Sequence, residues 1–200
     1  MSHGMGAEPK KIEASQELIN FEEMIVSVGA NILVVGGVNP GETTILNRLR
    51  LLGYESGKQD YIEVEEIKDE DSAKQALLIG MDKAKTLRAS IFGRSSKHGV
   101  VHFLRLNGYN QNIARHVASS IEIIIYQRTL SDGTQLTTEI CELISFAEAL
   151  EPVLNPIFKY DFSKLEHIRV GKITSKSLID KLMDSKFNNL DAIIEIQLDQ

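Results

Sequence analysis

The stretch ILVVGGVNPGETTILNRL, residues 32–49, constrains this chain more than any other. A continuous apolar run comes first, then a glycine-rich turn, then a helical pattern. An apolar run without polar alternation reads as a strand buried on both faces, and such strands belong to parallel sheets. The turn places Gly36 and Gly41 at the spacing of a phosphate-binding loop: glycine, four residues, glycine, lysine, then serine or threonine. Backbone N–H groups converge in such a turn, and the positive end of the following helix favours an anion. The candidate nucleotide-binding residues are therefore Gly36, Gly37, Gly41, Glu42, Thr43 and Thr44, with the Thr43 hydroxyl at the magnesium position. ATP and magnesium are the cofactors this pattern would hold.

Two residues oppose a filled loop. Glu42 stands where the lysine belongs. A contact charge pair near a surface is worth about 4 kcal/mol, so replacing attraction with repulsion is severe even after solvent screening. Pro40 removes one N–H from the cradle. Glu42 also has a structural role open to it, since a carboxylate in a helix's first turn is favourable by about 0.3–1 kcal/mol. That role suits an empty loop better than a filled one.

Further elements follow along the chain. Ser15–Gly29 carries apolar residues at helical spacing, with Ser15 as N-cap and Gly29 as stop. The helix after the glycine turn is expected to end at Gly53. Asp60–Ile67 reads as a second strand and Ser72–Ala84 as a helix. Thr86–Arg94 and Val100–Leu106 read as short strands, and Asn110–Ser120 as a helix. Ile121–Ser145 is the clearest hairpin, two β-branched runs around Ser131-Asp132-Gly133-Thr134. Thr174–Phe187 reads as a helix with a Thr/Ser cap. Strand–helix alternation followed by an antiparallel hairpin predicts an α/β fold with a mixed sheet.

Composition narrows the function classes. A net charge of −6 argues against broad nucleic-acid binding. No apolar run approaches the length of a membrane span, so no membrane insertion is expected. The single cysteine, Cys141, excludes an internal disulfide framework and favours a reducing cytoplasm. Residues 1–14 read as a disordered tail and residues 15–200 as one domain.

Several pieces in fixed order give the chain a likeness to a known family. They are ANILVVGGVNPGETTILNRL, DYIEVEEIKDEDSAKQAL, RASIFGRS, IARHVASSIEIIIYQRTLSDGTQLTTEICEL, NPIFKYDF and GKITSKSLIDKLMDSKF. The series resembles the secretion ATPases, the motors of type II and type IV secretion and pilus assembly, and above all their tight-adherence branch. The resemblance runs from Ser15 to about Lys186. It implies a RecA-like P-loop three-layer sandwich, with a mixed, mainly parallel sheet and a C-terminal antiparallel hairpin. It also implies work with protein partners of a secretion or pilus machine, an active ATPase paralogue among them, and assembly into a homo-oligomer.

The departures from the family bear on function. The family's water-positioning glutamate falls on Glu66, the one catalytic candidate, but its preceding glycine is Glu65. The histidine of the family's histidine box falls on Phe92. Between the loop helix and the second motif only LGYESGKQ, residues 52–59, stands where the family has a longer segment with phosphate-reaching arginines. Nothing here matches the family's N-terminal domain. Phosphoryl transfer is mostly positioning and electrostatic stabilisation, so loss of positive groups leaves little to accelerate hydrolysis. The expectation is a degenerate, non-hydrolysing homologue serving as an assembly or regulatory subunit. The alternatives are a weakly hydrolysing ATP-binding motor and a module that receives another anion at Gly37, Gly41, Thr43 and Thr44.

Other candidates have bland readings beside them. Glu63, Glu65, Glu66, Asp69, Glu70 and Asp71 form an acidic run that reads more readily as a solvated strand end and helix start than as a metal site. His98 and His102 lie in a stretch read as strand and have no accompanying Cys or carboxylate at a zinc spacing. His116 and His167 read as ordinary surface or helix residues. Arg88, Arg94, Lys97 and Arg105 group in the middle of the chain and read as a charge-balancing face. Cys141 sits in an apolar strand, where a buried inert thiol is expected.

Overall fold

The computed structural model describes residues 14–37, 44–57, 60–185 and 194. Within them the chain runs α1 (Gln16–Ser27), β1 (Ile32–Gly36), α2 (Thr44–Glu55), β2 (Tyr61–Ile67), α3 (Glu70–Met81), β3 (Thr86–Phe92), α4 (Ser96–Leu106) and α5 (Gln111–Ser120). Then come β4 (Ile123–Thr129), β5 (Gln135–Phe146), β6 (Pro152–Asp161), β7 (Glu166–Arg169) and α6 (Lys176–Met183). The strands form one sheet in the order β2-β3-β1-β4-β5-β6-β7. β2, β3, β1 and β4 are mutually parallel, and β4 to β7 continue as an antiparallel meander. Five of the seven strands thus point one way, with β5 and β7 reversed. This is a mixed α/β, RecA-like fold.

β1 shows why the sheet must lie between two layers. All five of its residues are buried. Its side chains alternate between two cores: Ile32 and Val34 pack with α1, α2 and α6, while Leu33 and Val35 pack with α3, α4 and α5. A strand side chain points to alternate faces, so a run with no polar residue needs apolar cover on both. β4 does the same, with Ile123 and Ile125 on one side and Ile124 on the other.

The caps follow local chemistry. Ser15 Oγ accepts from the Leu18 N–H at 3.2 Å, and Gly29, at φ +69°, turns the chain out of α1. The expected hairpin is present. β4 and β5 pair from Ile123–Glu142 to Thr129–Gln135, and Gly133 takes φ +84° in the turn.

Some boundaries differ from the sequence reading. α2 does not stop at Gly53. It continues to Glu55, with Gly53 buried inside it, and the left-handed residue beyond its end is Gly57 at φ +71°. α3 begins earlier than Ser72, because Asp69 is the N-cap and exchanges hydrogen bonds with Ser72 in a capping box. Val100–Leu106 is not a strand: it is the second half of α4, which Ser95 caps through the His98 N–H at 3.2 Å. The last helix is shorter than expected, ending at Met183. Phe187 lies outside the described residues.

Candidate functional site

The carboxyl ends of β1, β3 and β4 meet at one edge of the sheet, where parallel α/β sheets bind ligands. A crevice of about 400 Å³ opens there, lined by Gly37, Phe92, Gly93, Arg94, Tyr126, Gln127, Arg128 and Thr129. Each lining residue is placed by strand register. Gly36 pairs with Phe92, and Val35 with Tyr126. The Gly93 N–H donates to the Gly36 carbonyl at 2.8 Å, which extends the ladder one step past the strand ends. The Tyr126 hydroxyl donates to the Arg94 carbonyl at 2.8 Å and holds the chain as it leaves β3.

The floor is set by close packing. A Cβ on Gly93 would lie 2.5 Å from Val35 Cγ1 and 2.8 Å from the Gly99 nitrogen. A Cβ on Gly99 would meet the same valine, 3.0 Å from its Cβ. Only glycine admits this approach, so α4 lies directly on β1 below the crevice.

The sequence-derived site residues fall as follows. Gly36 ends β1, and Gly37 lines the crevice. Gly41, Glu42 and Thr43, with the magnesium position, lie outside the described residues. Thr44 is the first residue of α2. Glu65 and Glu66 sit at a register irregularity of β2, both exposed. β2 is the edge strand and β3 separates it from β1, so Glu66 lies two strands from Gly36. At an interstrand spacing of about 4.8 Å that is a lateral offset of about 10 Å. Phe92 stands in the crevice wall itself.

The grouped cations prove to be dispersed. Arg88 is buried in β3, donates from Nη1 to the Leu49 carbonyl at 2.9 Å and stacks 3.6 Å from the Tyr61 ring centroid. Burial pulls its pKa down from the ordinary value. Lys97 is exposed on α4, and Arg105 lines a separate groove with His98 and His102. Only Arg94 of the four reaches the crevice, where it is joined by Arg128 of β4. Sequence reasoning did not single out Arg128. Its approach to Arg94 depends on β1 lying between β3 and β4, which no local pattern reveals.

The acidic run has structural employment. Glu63 pairs with Arg50 at 2.5 Å, Asp69 caps α3 and Glu70 pairs with Lys74 at 3.3 Å. Hydrogen bonds from Ser72 hold the Asp69 carboxyl below its ordinary pKa. Cys141 is buried, and burial pushes its thiol up to about 12. His167 is buried rather than superficial. Its Nε2 meets the Thr137 carbonyl at 2.8 Å and its pKa is lowered, chiefly by burial.

Behind the crevice lies a smaller polar cavity of about 60 Å³, whose walls include Arg48, Gln127, Thr137 and His167. Gln127 belongs to both spaces. Arg48 Nε, Gln127 Oε1 and His167 Nδ1 are buried there without a hydrogen-bond partner among the described residues. Arg48 is held in place by its 2.5 Å ion pair with the fully buried Glu22 of α1, whose own pKa burial raises.

No family model matches this chain, and no curated protein matches it. Among the described residues, no helix is long and apolar enough to cross a membrane. Among solved structures, the chain is similar to the VirB11 ATPase from the Brucella suis type IV secretion system, crystallised in complex with sulphate. The TM-score is 0.51 at 12% sequence identity, over 63% of this chain. The chain spans 52% of that protein's length. At that identity the likeness speaks for the fold alone, which is secretion-ATPase-like.

Proposed function

We propose that the protein is a degenerate relative of the secretion ATPases, acting by protein contact as a non-hydrolysing assembly or regulatory subunit of a secretion or pilus system. The observation that carries the reading is Phe92. It ends β3 in register with Gly36, where the resemblance calls for a histidine, and it lines the crevice. An apolar ring can neither donate a hydrogen bond to a phosphate nor move a proton. Glu66, the candidate base, is offset on the edge strand and exposed to solvent. The test is ATP turnover by the pure protein. The expected result is no turnover above background. A rate comparable to active motors that vanishes in Glu66→Gln would refute the proposal.

A second reading, an ATP-binding subunit with weak hydrolysis, is favoured by one further observation. Arg94 and Arg128 both line the crevice beside Gly37, and arginine matches phosphate geometry through its planar fork. These two cations could offset the carboxylate that Glu42 brings in the lysine's place. Calorimetric titration with Mg-ATP separates the readings. Binding that is lost in the double variant Arg94→Gln/Arg128→Gln supports the second. No heat at millimolar nucleotide removes it.

A further inference from the structure

Helix α4 carries His98 and His102, four residues apart, so the two rings share one helical face. Their centroids are 6.3 Å apart. We infer that this pair is a chelating site for an imidazole-preferring transition-metal dication, with Zn²⁺ as its representative. It is distinct from the crevice and rests on neither reading of the crevice.

The tautomer of His102 favours ligation. Its Nδ1 lies 3.1 Å from the Phe92 carbonyl oxygen. A carbonyl only accepts, so Nδ1 carries the proton and Nε2 keeps its lone pair. A ring nitrogen donating to a backbone carbonyl while the other binds metal is the usual support for a histidine ligand. His98 is exposed and His102 half-buried, so one ligand is fixed and the other is free to swing.

The space fits as well. Both rings line a groove of about 210 Å³ with Phe92, Val101 and Arg105. With metal–nitrogen bonds of about 2.0–2.1 Å and a tetrahedral angle, two bound imidazoles have centroids roughly 5 Å apart. Closing from 6.3 Å takes a rotation of the exposed His98 ring.

The donor atoms select the ion, while the nearby Arg105 opposes any dication. Arg105 borders the groove, with its guanidinium 5.6 Å from the Tyr109 ring centroid. A neighbouring cation and two neutral nitrogens offer nothing to Ca²⁺ or Mg²⁺, which take oxygen ligands. They leave the site to ions bound through imidazole, such as Zn²⁺ or Co²⁺. Among the described residues, no group of three or more His, Cys, Asp or Glu could hold a metal ion.

The site also touches the crevice, because Phe92 lines both spaces. Its carbonyl anchors His102, and the next residue, Gly93, donates to Gly36. A metal held by His102 braces this corner of the sheet.

The test is calorimetric titration of the full chain with Zn²⁺. One ion per chain is expected. Removing one of two ligands on the same face loses their effective concentration, so His98→Ala is expected to weaken binding on the order of 10²-fold. His98 is exposed, so this variant does not put folding at risk. Arg105→Gln is expected to tighten binding, and His116→Ala, on α5, to leave it unchanged. No zinc binding, or equal affinity in wild type and His98→Ala, overturns the inference.

Discussion

Replacing Glu142 with alanine should cost this fold about 3–5 kcal/mol, although the residue is remote in sequence from everything it holds. Glu142 lies on β5 with no exposed surface. Its Oε2 accepts from Asn155 Nδ2 at 2.7 Å, from the Thr174 N–H at 2.8 Å and from Thr174 Oγ1 at 3.0 Å. Its Oε1 accepts from the Ser175 N–H at 3.0 Å. Ser175 is the N-cap of α6 but makes no capping bond with its own side chain. The strand's carboxylate therefore caps the helix. Asn155 and Thr174 can turn their side chains to new partners, but the two backbone donors cannot move. The substitution orphans two half-buried backbone donors, at about 1–3 kcal/mol each, and removes two further bonds to a carboxylate, together about 3–5 kcal/mol. For a domain of this size that lowers Tm by roughly 6–20 °C. Urea unfolding of wild type and Glu142→Ala at constant m measures the cost. Amide exchange should show Thr174 and Ser175 losing protection first. A loss below about 1 kcal/mol, or unchanged protection at both amides, would refute the reasoning, since even one orphaned donor is expected to cost that much.

Three further outcomes can be checked on the same material. Gly99→Ala forces a methyl into Val35 and should cost about 1–3 kcal/mol, with Val35→Ala restoring part of the loss in the double variant, measured by a double-mutant cycle. His167 has its pKa lowered from 6.5, so the unfolded chain binds its proton first and the stabilisation present above pH 6.5 is lost as pH falls from there through the lower folded-state pKa. The slope reaches at most about 1.4 kcal/mol per pH unit, and His167→Asn should flatten it in unfolding curves between pH 7.5 and 5. The Cys141 thiol, buried and pushed up to about 12, should ignore a thiol reagent at pH 8 in the native protein and react with one equivalent in denaturant.

The parts of this fold that are legible in the sequence are those set by local chemistry. β1 announces itself because all its residues are apolar, and the β4–β5 turn because Gly133 needs a positive φ. Asn110 caps α5 through the Ile113 N–H at 3.0 Å, where a helix over Asn110–Ser120 is expected. α4 misleads because its β-branched Val100 and Val101 sit mid-helix. A window that starts at Val100 misses the Ser95 cap and the buried Ser96 and Gly99, which complete the helical spacing with Val100, Phe103 and Leu104. Gly53 misleads because a glycine inside a helix looks the same as one that ends it. The misplacement of α4 also hid the His98–His102 pair, since four-residue spacing joins two rings on a helix and separates them on a strand. The crevice arginines and the Glu142 cap lie further out of reach. Arg94 and Arg128 come to one crevice, and Glu142 meets Thr174, through tertiary topology that leaves no periodic trace. The loop residues Gly41, Glu42 and Thr43 remain a reading of pattern alone.

The strand order has a consequence for how the chain assembles. Strands β5 to β7 pair only with sequence neighbours and β4 joins them through β5, so this meander closes short loops and can form early. β1 waits for partners far along the chain, since Ile32 must meet both Arg88 and Ile123. The loop-closure entropy of the parallel half is therefore met last. During translation ILVVG emerges well before either of its neighbours, a bare apolar strand with both edges open. A chain stalled at that stage offers a template for aggregation, and the glycines and proline that follow it limit how far such pairing can extend. The glycines and proline that follow β1 in the sequence thus also guard the most exposed stage of folding.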